Sequence, residues 1–169
     1  MQVQDLLRSQ FRQAHTIIEQ VIEDCDDEAL TKIVGGNVGS ISAIYAHAVF
    51  DEDGWIAGVD GSDRLWENGD WAAKTGLEIP GAFQTQEWAQ SGALYDLAAF
   101  REYAQAVYAR TDDYLSNVSD SDLDAEVPAG GGTMPTARWV GAVGLWHVMS
   151  HQGEISALKG AQGLKGLPF

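Results

Sequence analysis

A chain of 169 residues with 45% hydrophobic side chains is the size of one domain and long enough to bury one substantial core. Its 25 acidic and 10 basic side chains give a formal net charge of -15 at pH 7 with no Lys/Arg cluster, which argues against partners built on phosphate backbones or anionic headgroups. The one cysteine, Cys25 in EDCDDE, excludes an internal disulfide and a Cys-rich zinc site, and its acidic neighbours disfavour a thiolate.

The opening MQVQDLLRSQF lacks the basic flank and apolar centre of a secretory signal, and no apolar run approaches the roughly 20 residues that span a bilayer. The expectation is a cytoplasmic protein forming one domain over residues 1–169, with neither membrane nor nucleic acid as partner. Residues 3–24 place Leu7, Phe11, Ala14, Ile18, Val21 and Ile22 at spacings of three and four, which predicts a first amphipathic helix. Ser40 or Ser42 is placed to cap a second helix through ISAIYAHAVFDEDGWIAG, ending in the Gly54 to Gly61 region with His47 in its middle.

From Val59 to Leu94 the chain is rich in Gly, Asp and Trp, and Pro80 forbids a continuous helix. A long connection with one short helix near Trp66 to Lys74 is expected there. Trp66 and Trp71 would either line a pocket or, as packing favours, fasten it to the rest. A third long helix fits LYDLAAFREYAQAVYARTDDYLSNV, with Leu97, Phe100, Ala104, Val107 or Tyr108, and Leu115 as its apolar stripe. DAEVPAGGGTM suits a small hairpin, and Pro135 or Thr136 opens a fourth helix that runs to the glycine-rich end. The fold class is all-α: a four-helix bundle with a long connection between helices two and three.

The fourth helix carries the chemistry. In GLWHVMSHQGEISALKG, steps of four and then three bring His147, His151 and Glu154 onto one side, because an α-helix turns about 100° per residue. Two histidines one turn apart can chelate an ion, yet His-x-x-x-His also arises by chance at hydrogen-bonded core positions. His47 adds weight: it falls among Ile44, Phe50 and other apolar residues, where a lone imidazole is costly, and facing bundle helices lie about 8–10 Å apart. The three imidazoles can therefore meet and hold a divalent ion with an open position.

Asp51, one turn after His47, and Glu154 are candidates to orient a ligand, act as acid or base, or contact substrate; the alternative is a solvated rim. His15 sits at the edge of the first stripe without an evident partner on another helix and reads as structural, while Trp146 beside His147 reads as core. There is no His-Glu-x-x-His, no Glu-x-x-His of di-iron bundles, and AGGGTMPT lacks the Gly-Lys-Ser/Thr of a phosphate loop.

SAIYAHAVFDEDGW and GLWHVMSHQGEISALKG, with SDLDAEVPAGGGTMPTARW before the latter, resemble the second-helix histidine segment and closing helix of the DinB-like (damage-inducible) four-helix metalloenzymes. That family includes thiol-dependent S-transferases and mycothiol-dependent maleylpyruvate isomerases, and it is unrelated to the DNA polymerase sharing its label. The resemblance implies metal ligation by His47, His147 and His151 and assigns nothing to Asp51 or Glu154. Ser150 and Gln152 stand where many members carry a second histidine and an arginine. It further implies Zn or Ni, a cosubstrate such as mycothiol, bacillithiol or glutathione, a small-molecule substrate, and a homodimer. The same ligands permit metal-dependent hydrolysis, and a different class remains open: a non-catalytic, stress-associated binding or dimerisation bundle, with aromatic residues between Trp55 and Trp88 as its partner surface.

Overall fold

Four long helices grow from four apolar stripes. The computed structural model describes residues 2–78 and 85–169; Pro80, expected to break any helix through the long connection, lies outside them. Helix α1 (Val3–Ile22) buries Leu7, Phe11, Ala14, Ile18, Val21 and Ile22, all six residues of the predicted stripe. After the short α2 (Asp27–Thr31), α3 (Ile41–Asp60) starts at Ser40, whose side chain accepts the Ala43 N–H at 3.2 Å. Ser42 is not the cap. The helix stops at Gly61, whose φ of 75° suits a residue without Cβ.

The connection that follows holds two short helices, α4 (Leu65–Asn68) and α5 (Trp71–Thr75), in place of the single helix expected near Trp66 to Lys74. Gly69 separates them, at a point where a Cβ would collide with the Trp71 indole. Trp66 packs edge-on to Phe50 at 4.7 Å and to Tyr103 at 5.0 Å, and Trp71 lies 5.4 Å from Tyr103, so both do fasten the connection. Helix α6 (Gln86–Ala89), capped by Thr85, precedes the long α7 (Leu97–Asn117). Along α7, Phe100, Ala104, Val107, Tyr108 and Leu115 are buried as expected, while Leu97 is only partly so.

The short α8 (Asp120–Asp124) leads into the expected hairpin, β1 (Glu126–Ala129) against β2 (Gly132–Pro135), antiparallel with Val127 opposite Met134. Thr136 then opens a helix that is not continuous: α9 (Thr136–Trp139), a widened π turn (Val140–Leu145) and α10 (Trp146–Ala161). Gly144 lies in that turn, where a Cβ would sit 3.0 Å from the Trp55 ring. Its absence lets the two helices approach closely.

The long helices pack in the cyclic order α1, α7, α3, α10, each touching its two neighbours. Between them Phe11, Phe50 and Phe100 are at most 1% exposed, each contributing about 1.5–3 kcal/mol by burial. Polar groups also cross this interior. Glu52 on α3 is fully buried and accepts from His15 Nε2 at 3.0 Å and Thr111 Oγ1 at 2.6 Å, so His15 has the partner that its stripe did not reveal. His15 also stacks on Tyr108 at 3.9 Å, in keeping with a structural histidine. Glu19 accepts from Tyr45, Tyr108 and Arg101, and Asp112 receives two guanidinium forks from Arg8 and Arg12. Cys25 is buried, and its thiol is pushed up first by that burial and then by Asp24 and Asp26.

One tryptophan expectation is corrected: Trp146 is 66% exposed rather than core. Trp55 and Trp88, at the two ends of the aromatic connection, are buried, and Trp66 and Trp71 within it are half-buried. Leu145, Val148, Gln152 and Ile155 form the inward stripe of α10, so Trp146, Met149 and Gly153 lie about 100° to one side of it and His147, His151 and Glu154 about 100° to the other. Among the described residues, no helix is long and apolar enough to cross a membrane.

Candidate metal centre

The histidine flank of α10 faces the middle of α3, and the three imidazoles meet there. His147 Nε2 lies 3.1 Å from His47 Nε2 and 3.2 Å from His151 Nε2, and the donor atoms of all three fall within 4.8 Å of one another. Their side chains are 22%, 21% and 18% exposed for His47, His147 and His151, so the cluster lies at the bundle surface but is largely shielded. Burial favours the neutral imidazole of His47 and lowers its pKa, against the pull of the nearby Asp51 carboxylate.

Glu154 is partly exposed and contacts a histidine. Its Oε2 lies 2.9 Å from His151 Nδ1, and that hydrogen bond holds the carboxyl below its ordinary pKa even though partial burial opposes it. An anionic Glu154 accepts the Nδ1–H, which leaves the Nε2 lone pair of His151 directed at the other two rings. Asp51 Oδ2 stands 3.2 Å from His147 Nε2 and 3.6 Å from His47 Nε2. Both carboxylates singled out by sequence therefore touch the histidines, from different sides.

This donor set fits a cation. A tetrahedral ion with metal–nitrogen bonds of about 2.0–2.1 Å separates its ligand atoms by roughly 3.3 Å, close to the spacings of the Nε2 atoms here. Without a cation, a neutral imidazole carries one N–H and can donate to only one of the facing acceptors, so lone pairs are left opposed.

Sequence reasoning missed the wall over the site. Asn37, Gly39, Thr85, Gln86, Trp88 and Ala89 border a cavity of about 150 Å³ that reaches His47, His151 and Glu154. The available signal was Thr85 as a helix cap, since its hydroxyl oxygen accepts the Trp88 N–H at 3.3 Å.

A four-helix bundle whose facing helices bring three histidines to one point defines a class of histidine-centred helical proteins. The family model of the DinB superfamily matches residues 10–155, and the chain belongs to that superfamily. Among curated proteins none matches. The crystal structure of a conserved protein from Enterococcus faecalis is similar in fold, with a TM-score of 0.82 and 20% identity over 95% of this chain and 97% of that one.

Proposed function

We propose that His47, His147 and His151 bind one divalent ion, Zn or Ni, and that the protein is a metal-dependent enzyme acting through a low-molecular-weight thiol, as a transferase or isomerase. The observation that carries this is the Nε2 spacing of 3.1 and 3.2 Å, close to that of ligands around one ion. A bound cation favours the deprotonated, nucleophilic form of a thiol at neutral pH. In this reading Glu154 holds the His151 ring in its liganding tautomer, and Asp51 Oδ2, beside His147 and His47, accepts the thiol proton. Residues 1–169 act as one domain, in the cytoplasm, where such thiols are kept reduced.

Calorimetric titration of the Zn- or Ni-loaded protein with mycothiol, bacillithiol and glutathione tests this. Saturable binding of at least one of them, abolished by chelation of the metal, is the expected result. A metal that admits no exchangeable ligand, with no thiol bound, would instead favour a non-catalytic bundle.

We also propose a homodimer through the outer face of α1 and α10. Val3, Leu6, Val143, Trp146 and Met149 are exposed there, and the adjacent groove, about 410 Å³ and bounded by Ile17, Gly153 and Phe169, has no charged residue in its lining. On a chain of net charge -15, an uncharged apolar face is where two copies can meet without strong repulsion. Light scattering is expected to give twice the 18.2 kDa chain mass, falling to the monomer for Trp146→Glu. A monomeric wild type at micromolar concentration would refute this.

A further inference from the structure

Four of the six arginines hold a carboxylate: Arg8 and Arg12 share Asp112, Arg101 holds Glu19, and Arg110 holds Asp60. Arg138 is exposed. Arg64 differs from all of these. It is half-buried in a chain with 25 acidic side chains, yet among the described residues its guanidinium has no hydrogen bond or ion pair. A partly buried cation without a partner is costly, so something must hold it in place.

The backbone does so. Arg64 stands at the start of α4, and the Asp53 carboxylate accepts the N–H groups of Leu65 and Trp66 at 2.9 and 3.0 Å, which ties that start to α3. The guanidinium then lies across α3 at Gly54, where a Cβ would come within 2.6 Å of Nη2 and 2.9 Å of Cζ. Gly54 follows Asp51 by three residues and His47 by seven, which is two turns and about 10 Å along the same face of the helix. Arg64 therefore shares the face of α3 that carries the centre. The carboxylates of α3 are engaged elsewhere: Asp53 also takes the Tyr103 hydroxyl and lies 3.4 Å from Arg110, both oxygens of Asp60 take Arg110, and Asp51 stands against His147 and His47.

The charge balance includes the ion. A divalent cation at the histidines offsets Asp51 and Glu154, the two carboxylates that touch them, and Arg64 adds a positive charge that no ion pair cancels. Residues 79–84, IPGAFQ, carry no charged side chain to alter that balance. A guanidinium takes a carboxylate through two parallel N–H donors.

We propose that Arg64 receives a carboxylate carried by the thiol that the centre binds, at the end of a short chain spanning the roughly 10 Å between His47 and Gly54. The proposal rests on the metal-centre reading above and adds the class of cosubstrate to it: a carboxylate-bearing thiol in preference to its neutral counterpart.

Metal-loaded wild type, Arg64→Gln and Gly54→Ala are each titrated calorimetrically with 4-mercaptobutyrate and with neutral 4-mercapto-1-butanol, and metal content is measured on the same samples. Whatever the ion itself contributes to holding a carboxylate is common to the three proteins, so the change between them isolates Arg64. In the wild type the carboxylate is expected to bind about tenfold or more tightly than the alcohol, and in Arg64→Gln about threefold or less. Gly54→Ala, whose methyl displaces the guanidinium, should narrow the preference at least threefold, with the alcohol bound alike by all three proteins. A wild type without preference would overturn the proposal, and so would a preference unchanged in either variant, which would give the carboxylate to the ion instead. In metal-free protein the Arg64 Nε–H resonance is followed with butyrate and with 1-butanol; saturable movement by butyrate alone is expected, and no movement would likewise overturn the proposal. Protein that takes up no metal would overturn the reading of the centre, while the butyrate titration still decides the role of Arg64.

Discussion

Replacing Asp53 by alanine is expected to destabilise the fold by about 3–5 kcal/mol, because three donors lose one buried acceptor at about 1–3 kcal/mol each. Asp53 is fully buried, accepts the Leu65 and Trp66 N–H groups at 2.9 and 3.0 Å and the Tyr103 hydroxyl at 2.8 Å, and lies 3.4 Å from Arg110 Nη1. One carboxylate thus caps the start of α4, orients a core tyrosine and offsets the charge of a mostly buried guanidinium. Alanine would leave the Leu65, Trp66 and Tyr103 donors without that acceptor while Arg110 keeps Asp60 and the Asp63 carbonyl, and the Trp66 ring would lose the turn that presses it on Phe50. Urea denaturation of both proteins, with near-ultraviolet circular dichroism reporting the tryptophans, measures the effect. A loss below about 1 kcal/mol would mean that water or a neighbouring group replaces the carboxylate.

The second large effect concerns the centre. His147 Nε2 lies within 3.2 Å of both other Nε2 atoms, so His147→Ala removes the ligand that bridges the pair across the two helices. Metal affinity is expected to fall more than about 100-fold, beyond the 10–100-fold that loss of an outer-shell partner such as Glu154 brings. Competition with a chromophoric chelator gives both numbers. The helical circular dichroism should be unchanged, because His147 sits on the flank of α10 and the inward stripe of Leu145, Val148, Gln152 and Ile155 is untouched. Glu154→Gln costing more affinity than His147→Ala would reverse the assigned roles.

The bundle was legible because period alone places a stripe: the six apolar residues of α1 and most of those of α7 are buried where spacing put them. The histidines were legible for the same reason, since a step of four on one helix and a costly apolar setting on another both pointed to a shared site. Membership of the DinB superfamily followed from the same two segments. Trp146 was misjudged because hydrophobicity says that a residue prefers burial, not which flank of a helix it occupies; its neighbours 145 and 148 take the inward positions. The π turn left no sequence signal beyond its glycines; Gly144 within it packs against Trp55, a residue far away in the chain. Glu52 and Asp53 lie inside the second-helix segment and drew no role from the sequence. Their partners His15, Thr111, Tyr103 and Arg110 lie on other helices, and single-helix periodicity carries no information about such long-range pairs.

The metal content of untagged protein, by elemental analysis of the wild type beside His47→Ala and His151→Ala, tests the three-histidine centre most directly. About one Zn or Ni per chain in the wild type, lost in both variants while the helical circular dichroism is kept, is the expected result. A wild type that stays empty after incubation with either metal, or a variant that keeps its ion, would contradict it.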